Sequence, residues 1–566
     1  MLNDLYTPEG EKLAVTPWNV YPRPRMRREN WLNLNGEWDF DIHSFRLPDS
    51  YSRKIMVPFC PESLLSGIHE HFPEGSGLCY RKKITLPEGF NRGRVLLHIG
   101  AADQVLHCHV NGQKVGSHEG GYENITFDIT DFLTDGENEI AFRCFDDLRD
   151  LTFPYGKQVL NRGGMWYTPV SGIWQTVWLE SVPDTYIQKL NVENRDYSVT
   201  ITTEPALDGT ITVQGLGKFS FTGGSITITP ENPRLWSPEE PNLYAFTLEA
   251  GEDRVESYFA IRSLEIRTVG KYPRLCLNGK PYFFHGLLDQ GYWPEGLLTP
   301  PAPESYEGDI LAMKKLGFNM LRKHIKVELE EFYYQCDKLG MIVFQDLVNN
   351  GEYQYFRDTV LPNVGIQKLN DKHMHRDEKT RAAFFRYMEA TVNQLKSHPS
   401  ICYWTIFNEG WGQFDADMVY EKFIALDDTR FVDSTSGWWR RKKTDVDSRH
   451  VYLRKVKLEG DGVKPLVLSE FGGYVYKVAD HIFNADKEYG YGGYEDLTAY
   501  QEAVEKLYRE EILPCVEKGL CAAIYTQVSD VEDEVNGLLT YDRKVEKLTP
   551  ERMVPIAQAL QEMVQV

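Results

Sequence analysis

Short runs of alternating apolar and polar residues dominate the first part of the chain. Arg94-Val-Leu-Leu-His-Ile99 and Val105-Leu-His-Cys-His-Val110 have the period of two that strands with one buried face show. Asn111-Gly112 follows the second run and predicts a hairpin turn, because both positions tolerate a positive φ. Many strands and few helical stretches predict an all-β jelly-roll domain at residues 1–181.

A second all-β segment is predicted at residues 182–268. Ser198-Val-Thr-Ile-Thr-Thr203 and Ser225-Ile-Thr-Ile-Thr229 alternate cleanly, and Leu243-Tyr-Ala-Phe-Thr-Leu248 follows a stretch rich in turn residues. About seven short strands in so short a segment predict an immunoglobulin-like β-sandwich.

From residue 269 to residue 566, apolar strands alternate with amphipathic helices, which is typical of a parallel α/β fold. The predicted strands begin at Pro281, Asn319, Met341, Ile401, Arg430, Arg449, Pro465 and Cys521. The predicted helices are Glu304–Leu316, Glu328–Lys338, Glu378–Lys396, Asp415–Leu426 and Thr498–Lys518. This pattern favours a (β/α)8 TIM barrel. A doubly wound sheet is the alternative, but no Gly-x-Gly-x-x-Gly turn supports a nucleotide site.

Composition narrows the choice of partner and compartment. The 566 residues carry a formal net charge of −21, which argues against nucleic acids and anionic membranes as partners. No apolar run is long enough to span a bilayer, and the segment after Met1 lacks the pattern of a signal peptide. Nine scattered cysteines, without a Cys-x-x-Cys pair, predict free thiols and a cytoplasmic protein.

The stretch Ile401-Cys-Tyr-Trp-Thr-Ile-Phe-Asn-Glu-Gly-Trp411 carries the strongest chemical signal. It begins as an unbroken apolar run, as in a strand buried on both faces, and it ends at Asn408-Glu409-Gly410. A carboxylate at this position has no packing purpose, and its desolvation is unfavourable. Because the carboxyl ends of barrel strands carry the chemistry, Glu409 is predicted to be a catalytic acid.

A second glutamate has the same setting. Pro465-Leu-Val-Leu-Ser-Glu-Phe-Gly-Gly473 is again an apolar strand followed by a glutamate, Glu470, and a glycine turn. Paired carboxylates are what glycosidic bond cleavage needs, since one protonates the leaving oxygen and the other attacks the sugar carbon or activates water. The alternative interpretation is two buried ion pairs with Arg322 and Arg381.

Together these segments resemble glycoside hydrolase family two, within the clan whose catalytic glutamates follow barrel strands four and seven. Asn408-Glu409 is similar to the acid/base motif, and Ser469-Glu470-Phe-Gly is similar to the nucleophile motif. Tyr80-Arg-Lys-Lys-Ile-Thr85 and Ser171-Gly-Ile-Trp174 resemble the family's first domain. The resemblance covers the whole chain, including the order of the three domains.

The resemblance implies a double displacement with net retention of configuration. Glu409 would act as general acid and then as general base, and Glu470 would form a covalent glycosyl-enzyme. Retaining pairs are separated by about 5–5.5 Å. Asn408 would bind the sugar 2-hydroxyl, and Arg322 would keep Glu470 ionised. The remaining implied substrate contacts are Asp289, His324 and Tyr452. Trp438, like Trp411 and Trp439, is a candidate for stacking on a sugar ring through its apolar face, and ordinary packing at the barrel rim is the alternative.

The substrate prediction rests on departures from the family pattern. Arg322-Lys-His-Ile-Lys326 is shorter than the family's Arg-x-x-His-Tyr-Pro. The glucuronidases' Asn-x-Lys motif has no counterpart near Asn536-Gly-Leu538, so a terminal β-galactoside is the first choice. The alternatives are a β-mannosidase, a β-glucuronidase and a non-catalytic carbohydrate-binding protein.

No cofactor or metal ion is expected. His373-Met-His375 lacks a third ligand and is interpreted as a polar loop. The expected partner is an oligosaccharide or glycoside substrate, and the resemblance also implies a homo-oligomer.

Overall fold

The computed structural model describes residues 2–366 and 369–566. Met1, which opens the predicted first domain, lies outside the described residues, as do Gln367 and Lys368 within the predicted barrel. Of the helices in the described part, none is long and apolar enough to cross a membrane.

The first domain contains two antiparallel sheets packed face to face. In spatial order, one sheet contains Trp31–Asn33, Val177–Val182, Arg94–Ile99 and Ile125–Asp128. The other contains Arg53–Val57, Gly36–Ile42, Leu78–Thr85, Glu137–Phe145, Val105–Val110 and Gln113–Glu119. The inward-facing apolar residues of both sheets form one core. Asn111 and Gly112 have φ values of 50° and 77°, which confirms the predicted hairpin.

The second domain is a smaller sandwich with its own core. One sheet contains Lys189–Arg195, Ser198–Glu204 and Ser225–Ile228. The other contains Gly217–Phe221, Gly209–Val213, Tyr244–Ala250 and Asp253–Phe259. A hairpin of Leu264–Val269 and Tyr272–Leu277, extended by Lys280–Pro281, crosses the predicted boundary at residue 268. The hairpin joins residues on both sides of the predicted boundary, so the exact position of the boundary stays a prediction.

Eight parallel strands form the predicted TIM barrel. They are β1 Phe284–Asp289, β2 Met320–Lys323, β3 Ile342–Asp346, β4 Ile401–Asn408, β5 Phe431–Ser436, β6 Asp447–Val451, β7 Leu466–Gly472 and β8 Leu520–Thr526. Their spatial order is 5-4-3-2-1-8-7-6. Within the described residues no backbone ladder joins β5 to β6, and Ser436 Oγ and Ser448 Oγ meet there at 3.4 Å.

Helices cover the outside of the barrel. The longer ones are α1 Glu304–Lys315, α2 Glu330–Leu339, α3 Glu378–Leu395, α4 Ala416–Ile424, α5 Leu497–Leu507 and α6 Pro550–Met563. A π-helical turn, Tyr508–Ile512, continues α5 into Leu513–Val516. The sequence prediction missed α6, because prolines at positions 550 and 555 obscure its helical period. A proline at the first position is compatible with a helix, since that N–H has no partner within the helix.

Alternation along the strands decides which side chains point into the barrel. Leu288 and Met320 belong to the core inside the barrel, whereas Leu287 and Leu321 pack under the helices. By the same period of two, Arg322 points inwards. Lys323 is paired with Asp289 across β1 and β2, and both point outwards.

Candidate active site

Glu409 and Glu470 meet at the carboxyl ends of β4 and β7. Together with His450, which lies on β6, they form a group whose ligand atoms all lie within 4.8 Å of one another. One oxygen of Glu409 and one oxygen of Glu470 are therefore within 4.8 Å of each other, whereas the carboxyl groups of inverting enzymes are about 6.5–9.5 Å apart to leave room for a water. The spacing fits a carboxylate that attacks the sugar directly.

The backbone turns sharply at Glu409, immediately after β4. Glu409 has φ 51°, and its N–H donates to Ser436 O at 2.9 Å. Gly410 follows with φ 79°, and a Cβ there would come within 2.2 Å of the Trp439 ring, so only glycine fits. The turn leaves the Glu409 side chain 18% exposed, which makes its carboxylate accessible to a substrate.

Glu470 is buried in a cationic and hydrogen-bonded setting. Arg322 Nη1 donates to Oε1 at 3.1 Å, and the Tyr452 hydroxyl donates to Oε2 at 2.6 Å. Burial alone would raise the pKa of the Glu470 carboxyl, but the charges of His450 and Arg322 outweigh it and lower the pKa to about 2. Glu470 is consequently ionised at neutral pH.

Arg322 ties three strand ends together through its planar fork of donors. Besides contacting Glu470, its Nε donates to Asp346 Oδ1 at 2.9 Å and its Nη2 to Asn408 Oδ1 at 2.8 Å. The other oxygen of Asp346 lies 2.8 Å from His324 Nδ1. Burial alone would raise the pKa of the Asp346 carboxyl, but Arg322 and His324 hold it below its usual range.

The side chain of His450 bridges the two glutamates, a role that the sequence prediction did not assign. Its Nδ1 lies 2.7 Å from Glu409 Oε1 and 3.5 Å from Glu470 Oε2, and its Nε2 lies 3.0 Å from Ser436 Oγ. The register between β6 and β7 shifts at Arg449 and His450. The spacing of two between His450 and Tyr452 was the signal that could have placed both on one face.

Most of the other predicted substrate contacts lie beside this pair. Asn408, Arg322, His324 and Tyr452 belong to the hydrogen-bond network just described. Trp438 packs against His450, with ring centroids 5.5 Å apart, at the rim of the site. Their contacts with a sugar stay predictions.

The structure does not bring Asp289 to the glutamates. Its Oδ2 accepts from Lys323 Nζ at 2.6 Å, and Lys323 also pairs with Glu328 at 2.9 Å. This charged cluster lies between the barrel and the helices, because Asp289 is one of the residues of β1 whose side chains point outwards. The sequence prediction that Asp289 contacts the sugar is therefore corrected, because Asp289 lies outside the barrel and pairs with Lys323.

A loop of the first domain completes the wall of the site. Trp166 packs edge-on against Trp411, with ring centroids 5.2 Å apart, so Trp411 is packed between domains and is only 2% exposed. The Tyr167 hydroxyl donates to Glu534, a buried residue that follows β8. Neither Glu534 nor the loop from Lys157 to Tyr167 was among the predicted site residues.

Among the described residues, Glu409, His450 and Glu470 form the one group of three ligand atoms close enough for a metal ion. The group coincides with the carboxylate pair, so it does not define a separate metal centre. His375 of the predicted polar loop instead has Nε2 3.0 Å from Arg357 Nη2, and a neighbouring cation disfavours metal binding.

Three family models match consecutive parts of the chain. "Glycosyl hydrolases family 2, sugar binding domain" matches residues 68–183, and "Glycosyl hydrolases family 2" matches residues 183–262. "Glycosyl hydrolases family 2, TIM barrel domain" matches residues 271–462, which include Glu409 and His450. The chain belongs to glycosyl hydrolases family 2.

Individual relatives are distant. A beta-galactosidase of Thermoanaerobacter pseudethanolicus is 25% identical over 379 residues, covering 60% of this chain and 49% of that protein. A putative beta-glucuronidase of Formosa agariphila is 24% identical over 434 residues, covering 70% and 48%. The chain thus spans about half the length of these curated relatives. A solved beta-D-glucuronidase of Dictyoglomus thermophilum shares the fold, with TM-score 0.72 and 19% identity over 96% of this chain and 98% of that chain.

Proposed function

We propose that this chain is a retaining exo-glycosidase that hydrolyses a terminal β-linked sugar by double displacement. The observation that carries the proposal is that one carboxylate oxygen of Glu409 and one of Glu470 lie within 4.8 Å of each other. The two carboxylates differ in burial and in their hydrogen-bond partners. Glu470 is buried and held ionised by Arg322, as a nucleophile must be. Glu409 is accessible and lies next to an imidazole that can relay or hold a proton.

In the first step, an oxygen of Glu470 attacks the anomeric carbon while Glu409 donates its proton to the glycosidic oxygen. The bond to the leaving group breaks, and a covalent glycosyl-enzyme forms on Glu470. In the second step, Glu409 accepts a proton from water, and the water oxygen displaces Glu470. Two inversions at the anomeric carbon give net retention.

Asn408 is oriented to bind the sugar. Because Arg322 Nη2 donates to the amide oxygen of Asn408, the amide oxygen is engaged and the amide nitrogen is the group that can donate to a sugar. This N–H donor can bind the 2-hydroxyl, a contact that strengthens in the transition state. The Tyr452 hydroxyl, 2.6 Å from Glu470, holds the nucleophile in line for attack.

A β-galactoside is the substrate that we favour. The segment after β8 carries Glu534 and Asn536 in place of a lysine motif for a sugar carboxylate. A relative named beta-galactosidase supports the same choice. A β-glucuronide is the second candidate, because one relative is named a putative beta-glucuronidase. No observation favours a β-mannoside, and a purely binding protein would not need the Glu409–His450–Glu470 arrangement.

We place the protein in the cytoplasm, acting on a carbohydrate and not on nucleic acid or membrane. All nine cysteines are free and buried, which is what a reducing compartment permits. The net charge of −21 disfavours polyanionic partners.

The proposal is tested by the stereochemistry of hydrolysis. Proton NMR during cleavage of nitrophenyl β-D-galactoside should show the β-anomer of galactose as the first product, before mutarotation. Initial release of the α-anomer would contradict double displacement. A protein that cleaves no glycoside in a nitrophenyl panel would instead be a carbohydrate-binding protein.

A further inference from the structure

The segment after β8 folds back over the barrel and places Glu534 in the wall of the site. Glu534 is 4% exposed, accepts from the Tyr167 hydroxyl, and accepts from Asn536 Nδ2 at 3.2 Å. Asn536 Oδ1 in turn accepts from Gln527 Nε2 at 2.8 Å. The buried carboxylate is thus held by two residues, Tyr167 and Asn536, and Gln527 in turn supports Asn536.

This segment is connected to the nucleophile. Thr526 ends β8 and precedes Gln527, and its Oγ1 lies 2.9 Å from the hydroxyl of Tyr452, which donates to Glu470. The charge of Glu470 also acts on Glu534. Burial raises the pKa of the Glu534 carboxyl, and the negative charge of Glu470 adds to this rise. The segment that carries Glu534 is therefore linked to the nucleophile by hydrogen bonds through Thr526 and Tyr452.

Lys157, on the first domain, is a neighbour of the tyrosine that binds Glu534, because the Tyr167 N–H donates to Lys157 O at 3.0 Å. Its Nζ lies 5.4 Å from the centroid of the Trp166 ring. Its charge partly offsets the rise in the pKa of Glu534 that burial causes, and it adds to burial in lowering the pKa of His324. Among the described residues, no carboxylate lies within 4.0 Å of Lys157 Nζ. The ammonium donors are consequently available to a ligand.

The geometry of the barrel relates these two residues to one part of the sugar. In an eight-stranded barrel, the ends of β4 and β8 lie on opposite sides of the mouth. With the 2-hydroxyl at Asn408, the last residue of β4, the opposite side of the six-membered ring faces the segment after β8. That side carries C5 and its substituent, which is a hydroxymethyl group in a neutral hexose and a carboxylate in a uronic acid.

We infer that Lys157 and Glu534 are specificity-determining residues that select a neutral hexoside by binding hydroxyl groups on the C5 side of the ring. A hydroxyl group can accept from an ammonium and donate to a carboxylate at the same time. A sugar carboxylate can only accept, and it would face Glu534 with the negative charge of Glu470 behind it. This inference rests on the proposed function and names its substrate class.

The test compares two variants and one control on two substrates. E534Q removes the charge and keeps the shape, and K157M keeps the stem of the side chain over Trp166. E532Q is the matched control, because Glu532 is a buried acid of the same segment that pairs with Arg162 at 3.3 Å. Each protein is assayed on nitrophenyl β-D-galactoside and nitrophenyl β-D-glucuronide, and its thermal midpoint is measured to verify folding.

The wild-type protein should prefer the galactoside. E534Q should lower kcat/KM for the galactoside by about tenfold or more, mainly through KM, and should lower the galactoside-to-glucuronide ratio by a similar factor. K157M should also lower kcat/KM for the galactoside by about tenfold, and it provides the test if E534Q does not fold. E532Q should leave the ratio unchanged.

Two kinetic results overturn the inference while leaving the proposed function intact. One is a wild-type preference for the glucuronide, and the other is an unchanged substrate ratio in E534Q. Calorimetric binding of D-galactose and D-glucuronate gives a readout that does not depend on turnover. Equal affinity of the wild-type protein for both sugars overturns the inference, whereas failure of the proposed function appears as absence of hydrolysis with both glycosides.

Discussion

The imidazole of His450 and the carboxylate of Glu409 are joined by a 2.7 Å contact between Nδ1 and Oε1. The same nitrogen lies 3.5 Å from Glu470 Oε2, so one ring bridges the proposed acid and the proposed nucleophile. Ser436 Oγ lies 3.0 Å from Nε2 and fixes the ring from behind. The arrangement keeps two carboxylates close without direct contact between them.

Replacing His450 should therefore impair both chemical steps. H450Q is expected to lower kcat/KM by about 10²-fold, with a smaller change in KM, because the orientation of Glu409 and its proton transfer are lost together. S436A is the control, since it removes only the support of the ring and should have a weaker effect. A change of less than about threefold in H450Q would contradict the bridging role.

Arg322 sets the pH range in which Glu470 can attack. The wild-type carboxyl has its pKa lowered from 4.5 to about 2, so it stays ionised through mildly acidic pH. Removing the cation in R322M lets this pKa rise, so a higher pH is needed for ionisation. The acid limb of the kcat/KM profile should move to higher pH, and a profile that keeps its acid limb would count against the assignment.

The same lowered pKa contributes to folding stability, with a defined sign. Because the folded-state pKa lies below the unfolded value, the contribution is present above about pH 4.5 and is lost as the pH falls towards 2. In R322M, the free energy of unfolding should fall less steeply across this window than in the wild-type protein. Denaturant unfolding at several pH values measures the two slopes, and parallel slopes would be the contrary result.

Asp346 supports the site from below by holding Arg322 and His324. D346A would leave a buried guanidinium without this partner, and we expect a loss of about 3–5 kcal/mol in the free energy of unfolding. Urea denaturation measures the loss. D49A is the control, since Asp49 pairs with Arg46 on the surface and its removal should change stability little. Equal stabilities of D346A and D49A would exclude the supporting role.

Two tryptophans should respond differently to truncation. Trp411 is packed between domains, so W411A should destabilise the protein by about 3–5 kcal/mol. Trp438 packs on His450 at the rim, so W438L should mainly raise KM for aryl glycosides with a smaller change in stability. Thermal unfolding and steady-state kinetics on both variants separate the two roles. If W411A instead raised KM and W438L instead reduced stability, Trp411 would be the residue that stacks on the sugar.

The sequence predicts the barrel and its two glutamates well, for a local reason. The apolar runs that end at Asn408-Glu409 and Ser469-Glu470 each carry their own signal of a buried strand followed by a carboxylate. The observed strands β4 and β7 begin within one residue of the predicted positions. Pairing of the glutamates then follows from the circular order of the strands.

The errors concern properties that depend on register and on distant contacts. Asp289 is the last residue of β1, but at this position in the alternation of the strand its side chain points away from the barrel axis and towards Lys323. The spacing of two between His450 and Tyr452 indicates a shared face, but the bridging position of His450 also depends on a register shift between β6 and β7 that this spacing does not reveal. The contact between Tyr167 and Glu534 joins residues of different domains, which no periodicity along one segment can indicate.

The most direct test of the central claim is covalent trapping of the proposed nucleophile. Incubation with an activated 2-deoxy-2-fluoro-β-D-galactoside should inactivate the protein, because the fluorine slows both steps whereas the activated leaving group accelerates only the first. Peptide mass spectrometry should then find one sugar on the peptide that contains Glu470, and E470Q should remain unlabelled. A sugar attached to Glu409 or to another residue, or turnover without any adduct, would contradict the assignment of Glu470 as nucleophile.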